Sequence, residues 1–288
     1  MAFRRNRWAA GVLGAAVLLA GCGGAASSTG STSTTASSAA PGSPSTVVLD
    51  AYQRTVADKT ADMSLAETVT GGPTGAVTVS GTGQVDFTTG DAEFAMTVPS
   101  AGSFTLRVLK PELYLQLPAS EAADMPNGAS WVSVDLDTVT KSLTGQSLSQ
   151  LSDSANLSTD GLSYLEGVSA DGVTTVGPAT IDGVATTEYS TTIDLSKLGD
   201  QRSPQVRAAL QRLQSSIGLS DLPIQVWIDA QGQVRQESFQ ETVTAAGATH
   251  AVDVTIGLSN FGTPVSVVAP PASQVVPLSS LTGGTSDS

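Results

Sequence analysis

The only cysteine of the chain stands where its thiol has one evident chemistry. Leu19-Ala20-Gly21-Cys22 places small residues directly before it, an apolar run from Ala9 to Ala20 leads up to them, and Arg4, Arg5 and Arg7 precede that run. A cationic start, a short apolar stretch and small residues at a cleavage point make a secretory signal, and the cysteine that follows them matches the lipobox. The pattern predicts diacylglyceryl transfer to the Cys22 sulfur and cleavage before it, so that residues 1–21 are signal peptide and Cys22 is the acylated first residue. The apolar run is too short to cross about 30 Å of hydrocarbon as a helix, which favours a cleaved signal over a retained span. Two acyl chains, at about 0.8 kcal/mol per buried methylene, then anchor the chain on a membrane far more durably than one.

Other reactive constellations are poorly represented. His250 is the single histidine, which excludes any metal site needing two imidazoles. It falls in phase with Val252, Val254, Ile256 and Leu258, so a hydrogen-bonded structural histidine on an apolar strand face is the expectation rather than a general base. Gly167-Val168-Ser169-Ala170-Asp171 lacks the second glycine of a nucleophile elbow. Asp135 and Asp137 lack the glycine and glutamate of a calcium loop, and neither a phosphate-binding loop nor a paired-histidine helix occurs. The reading is a non-enzymatic protein with no cofactor and no metal.

Thirteen Lys and Arg stand against 26 Asp and Glu, a formal charge of −13, and the only basic cluster is the one removed with the signal. Nucleic acid is thereby excluded as a partner, since phosphate binding needs clustered cations. Without Arg4, Arg5 and Arg7, ten cations face 26 anions, and anionic headgroups repel such a surface. Positions 23–45 contain only Gly, Ala, Ser, Thr and Pro. A segment with nothing to bury cannot offset its ordering entropy, so 22–45 is expected to be a lipidated cysteine on a disordered tether, reaching about 25 Å as a flexible coil.

Past the tether the periodicity defines one domain over 46–276, followed by a flexible tail over 277–288. Ser45 or Thr46 can cap a helix running to about Lys59, with Val47, Val48, Ala51, Tyr52 and Val56 along one side. Alternation of apolar and polar residues then predicts strands around Leu65, Val79, Phe94, Leu106, Leu115 and Trp131, separated by Gly and Pro turns. Leucines at spacings of three to five between Leu136 and Gly167, Leu143 and Leu148 among them, predict short amphipathic helices. Two further strands follow, joined at Ile181-Asp182-Gly183. Ser203-Pro204 opens a helix with Val206, Leu210, Leu213 and Ile217 on one stripe, and three closing strands cover 224–229, 233–244 and 249–258. About eleven strands with four or five helices make an α+β domain: a strongly curved antiparallel half-barrel sheet whose concave face is covered by helices.

The lipobox, the Gly/Ser/Thr tether, the segment Val176-Gly177-Pro178-Ala179-Thr180-Ile181-Asp182-Gly183-Val184-Ala185-Thr186-Thr187-Glu188-Tyr189, the strand Ile224-Gln225-Val226-Trp227-Ile228-Asp229 and the closing Phe261-Gly262-Thr263-Pro264-Val265 resemble the LppX/LprG lipoproteins of actinobacteria. That family is similar in fold to periplasmic lipoprotein carriers of the LolA/LolB type, and several members hold acylated lipids or lipoglycans between sheet and helices. The resemblance implies a membrane-anchored, extracytoplasmic protein that binds or carries an acylated lipid or lipoglycan, with an envelope transporter as a possible partner. A protein-binding or sensor lipoprotein on the same fold is the alternative. Apolar residues on the covered face suit acyl chains, because transfer from water gains about 25 cal/mol per Å² without a directional partner. The candidate lining is Phe94, Met96, Phe104, Leu106, Leu115, Leu143, Leu148 and Leu210.

Overall fold

The computed structural model describes residues 42–72, 75–99, 102–144, 147, 172–194, 221–245 and 248–282. Its first element, α1, spans Pro44–Ala57. The helix starts slightly earlier than the sequence suggests because Ser43 is the cap: its Oγ accepts from the Thr46 amide at 3.3 Å, and Pro44 sits in the first turn, where no amide donor is needed. Val48, Ala51, Tyr52 and Thr55 form its buried stripe. Beyond it Lys59 takes a positive φ of 69° and reverses the chain into the sheet.

The sheet consists of β1 (Thr60–Gly72), β2 (Gly75–Asp86), β3 (Ala92–Val98), β4 (Gly102–Leu109), β5 (Glu112–Gln116), β6 (Trp131–Asp135), β7 (Thr174–Ile181), β8 (Val184–Asp194), β9 (Asp221–Asp229), β10 (Val234–Ala245), β11 (Ala248–Ser259) and β12 (Val275–Pro277). Between them lie α2 (Ala119–Ala122) and α3 (Leu136–Thr144), and α4 (Leu278–Thr282) follows the last strand. Their order is β12-β6-β5-β4-β3-β2-β1-β11-β10-β9-β8-β7, one open, curved sheet that does not close into a barrel. Two antiparallel meanders, β1–β6 and β7–β11, meet where β1 pairs with β11.

The half-barrel is therefore as expected, with one strand more. The twelfth is β12, which adds to the β6 edge in parallel, Val275 opposite Trp131. The last part of the chain reaches it across the other face, where the Val268 carbonyl accepts from Arg107 Nη1 at 3.0 Å and the guanidinium lies 4.7 Å above the Trp131 ring. Pro277 closes β12 and α4 packs on β6, so the first part of the segment read as a tail belongs to the fold. The β7–β8 turn has Asp182 at φ 48° and Gly183 at φ 81°, the two consecutive positive values of a tight hairpin whose twist matches its strands.

Two apolar clusters share one face. The first joins Ala61, Met63 and Leu65 of β1 to Phe94 and Met96 of β3, Leu106 and Val108 of β4 and Leu113 of β5. The second sets Val48, Ala51 and Tyr52 of α1 against Ile224, Val226 and Ile228 of β9 and Val234 of β10. Val56 and Leu258 touch both and make the apolar face continuous. Of the expected helices, α1 and α3 are present; those placed after Gly145 and after Ser203 lie outside the described residues.

Candidate functional site

Strand register decides which side chains share the face that carries α1. Phe94 stands opposite Leu106, and Leu106 opposite Leu115; one step along, Met96 stands opposite Phe104. Five of the eight candidate lining residues are thus brought together on three neighbouring strands. Phe94, Met96 and Leu106 are buried, Phe94 with no exposed surface at all, whereas Phe104 and Leu115 are half-buried. Leu143 lies within α3, and Leu148 and Leu210 are outside the described residues, as is Cys22.

Gly81 and Gly83 of β2 explain how the β3 side chains settle. Gly83 stands opposite Phe94 on one side and Met63 on the other. A Cβ on Gly83 would lie 2.7 Å from Phe94 Cδ1, and one on Gly81 would strike Met96 Sδ. The ring and the thioether therefore lean over bare β2 backbone and fill the place of its missing side chains. This close approach is the physical reason two glycines interrupt an otherwise Val-rich strand.

The same face carries polar groups toward the end of the strands remote from Lys59. Glu67 of β1 stands opposite Val79 and Val254, Glu241 of β10 opposite Val252, and His250 continues the row of Val252 and Val254. Burial raises the pKa of the Glu67 carboxyl. Burial also raises that of Glu241, against a smaller lowering by the Thr242 amide and with a further rise from Asp221. Glu241 Oε1, His250 Nδ1 and the Thr191 Oγ1 of β8 are buried with no hydrogen-bond partner among the described residues. His250 keeps the predicted strand phase, but among the described residues its Nδ1 has no hydrogen-bond partner of the kind expected of a structural histidine. Glu67 and Glu241 escaped notice in the sequence because each is a single acid in an alternating strand, and only the register sets them among valines.

At the opposite end a cavity of about 450 Å³ opens between the β7–β8 turn and the ends of β10 and β11, with Asp182, Gln233, Arg235, Leu258 and Phe261 in its wall. The fully buried Asp229 carboxylate accepts from the amides of Gln231 and Gln233, both at 2.9 Å, and from Arg235 Nε at 2.8 Å. The Arg235 guanidinium also lies 5.2 Å from the Phe261 ring centre, so its charge is already matched. These residues come from three distant stretches of chain; Asp182, Asp229, Leu258 and Phe261 stand out in the sequence for turn, strand phase or resemblance, and none as a site residue. Among the described residues no group of three or more His, Cys, Asp or Glu side chains is placed to hold a metal ion. No helix among them is long and apolar enough to cross a membrane.

No family model and no curated protein matches the chain. Among solved structures it is similar to the Mycobacterium tuberculosis lipoprotein LppX, at 18% identity and a TM-score of 0.45, over 77% of this chain and 99% of that one. LprF from Mycobacterium bovis gives 18% identity and 0.41 over 79% of this chain and 96% of that one. A LolA superfamily protein from Nitrosomonas europaea gives 8% and 0.28 over 76% of this chain and 94% of that one. The likeness lies in the path of the chain around a curved sheet and assigns no residue a role.

Proposed function

We propose that this chain is a non-enzymatic lipoprotein of the cell envelope, anchored by acylated Cys22 on the extracytoplasmic face of the membrane, that holds an acylated lipid or lipoglycan on the α1-bearing face of its sheet. The observation that carries this reading is the extent of that face. Apolar side chains run without a break from β6 to β9, while among the described helices α1 packs on it over β9 and β10 and α3 meets it at the β6 edge through Leu136, leaving the rows between them uncovered by a described helix. Half-buried Phe104, Leu115, Phe239, Val252 and Ile256 retain surface that an acyl chain can cover, and contact with such surface is favourable whatever the chain's orientation. In this scheme Phe94, Met96 and Leu106 form the packed floor and Phe104 and Leu115 touch the ligand. Leu143, Leu148 and Leu210 contribute from the helical side.

In this reading the signal peptide over 1–21 directs the domain outside the membrane, and the tether from Cys22 to the Ser43 cap of α1 lets it sample a shell above the lipid surface. A transporter of the envelope is the partner such a carrier would load or unload.

The test is extraction. Native protein isolated from membranes in mild detergent, washed and extracted with organic solvent should release about one acylated lipid per chain, read by mass spectrometry against the lipids of the surrounding detergent. A chain that carries none, and gains none on incubation with envelope lipid, overturns the carrier reading in favour of a protein-binding one. Intact-mass measurement of the N-terminal peptide separately decides the acylation of Cys22.

A further inference from the structure

The face proposed to hold lipid is not uniformly apolar, and its polar groups gather at one end. Glu67, Val254, Phe239, Ile224 and Thr191 form one transverse row across β1, β11, β10, β9 and β8. Glu241 and His250 lie in the next two rows toward the β10–β11 turn. Thr191 is 4% exposed, and its hydroxyl, like Glu241 Oε1 and His250 Nδ1, is buried with no partner among the described residues. Burial raises the pKa of both carboxyls, which reports the low-polarity surroundings.

Cations are absent from this end among the described residues. Lys59 precedes β1, Lys110 is in the β4–β5 turn, Arg54 reaches the β9–β10 turn at the Gln231 carbonyl, Lys141 is in α3, and Arg107 engages Glu93. Arg235 is paired with Asp229 and stands six residues along β10 from Glu241, about 20 Å at the rise of a strand. A phosphate or sulfate beside two carboxylates in a medium of reduced polarity meets strong repulsion that no cation among the described residues offsets. A hydroxyl or ammonium group meets free acceptors.

Resting on the lipid-binding reading, we infer that Glu67, Glu241, His250 and Thr191 form a headgroup seat that takes uncharged or amine-bearing headgroups with hydrogen-bond donors and turns away anionic ones. The carboxylates and His250 Nδ1 accept, and the Thr191 hydroxyl donates or accepts, while the tail lies along the apolar rows toward Phe104 and Leu115.

Three probes that share one tail test this: oleyl alcohol, oleylamine and oleyl sulfate. Each competes at pH 7, below its micellar concentration, with a neutral fluorescent naphthylamine on the full chain carrying Cys22→Ser. The alcohol and the amine should bind at least tenfold more tightly than the sulfate. The Glu67→Gln/Glu241→Gln variant should narrow that gap threefold or more, with the sulfate gaining affinity as the two negative charges are removed. Equal binding of all three probes to the unaltered face, or a gap unchanged in the variant, overturns the seat and leaves the lipid-binding reading standing. If no probe displaces the dye, that reading fails and the seat fails with it. Should the double variant not fold, Glu241→Gln alone is measured, and the ranking on the unaltered face still decides.

Discussion

Thr55 Oγ1 accepts a 2.9 Å hydrogen bond from the amide of Val234, 179 positions later in the chain, and donates at 2.8 Å to the Ala51 carbonyl one turn back in its own helix. The amide is free because the β9–β10 register shifts between Val234 and Gln236, and a bulge of this kind takes one donor out of the ladder. Both residues are buried, Val234 completely. One hydroxyl thus ties α1 to the sheet at the point where the two apolar clusters join. Thr55→Val keeps the shape and strands the amide, at a cost of about 1–3 kcal/mol, or a fall in melting temperature of about 2–4 °C per kcal/mol for a domain this size. Thr55→Ser should restore most of it. Equal stability of the Val and Ser variants in urea titrations would show that the bond contributes nothing.

Phe94 and Phe104 separate packing from ligand contact. Phe94 has no exposed surface and lies over Gly83, so Phe94→Ala should cost about 3–5 kcal/mol in unfolding free energy. Phe104 is half-buried, and Phe104→Ala should cost less than half as much while weakening binding of a lipid probe several-fold. Denaturant unfolding and probe titration on both variants check the pair. A Phe104 variant with unchanged affinity, or one as unstable as the Phe94 variant, places Phe104 in the floor and removes it from the binding surface.

How far the sequence foretold this arrangement follows from the range of the forces involved. Alternation in Phe94-Ala95-Met96 and in Leu113-Tyr114-Leu115 is local, and it located strands and their buried side. The β7–β8 hairpin was legible because Asp182-Gly183 suits consecutive positive φ values. β12 was not: three residues hold no period, and Val275–Pro277 becomes a strand only because the β6 edge is there to receive it. Nor could the pattern show that Gly81 and Gly83 seat Met96 and Phe94, or that Glu67, Glu241 and Thr191 share a face. Those facts depend on cross-strand register between segments far apart in the chain.

The Asp229–Arg235 pair offers a third prediction. Arg235→Met leaves a carboxylate with no exposed surface holding two backbone donors and no counter-charge, and loss of one partner of a buried pair costs about 3–5 kcal/mol. Adding Asp229→Asn removes the stranded charge and should recover part of that loss, so the double variant should be more stable than Arg235→Met alone. The four proteins of the cycle, compared by urea unfolding, give the coupling; additive losses would mean that the two side chains do not support one another.

The last prediction concerns pH. Burial holds the pKa of the Glu67 carboxyl above its ordinary value of 4.5 in the folded protein. The native state then keeps a proton that the unfolded chain has released. The stability this proton provides is complete below about pH 4.5 and is lost as pH rises through the raised folded value. Asp135 works in the opposite sense. Hydrogen bonds from the Thr138 side chain and amide hold its pKa below 3.8, so its contribution is present above that pH and lost as pH falls through the lowered folded value. Glu67→Gln removes only the first effect. The variant should match the parent near pH 4, gain on it steadily above pH 4.5, and be the more stable of the two at pH 7. The check is the difference in unfolding free energy between the two proteins at each pH, in which Asp135 and the other carboxyls cancel. A variant less stable than the parent at pH 7 would mean that the Glu67 carboxylate is held by a favourable partner and is not isolated among Val79, Val254 and their neighbours.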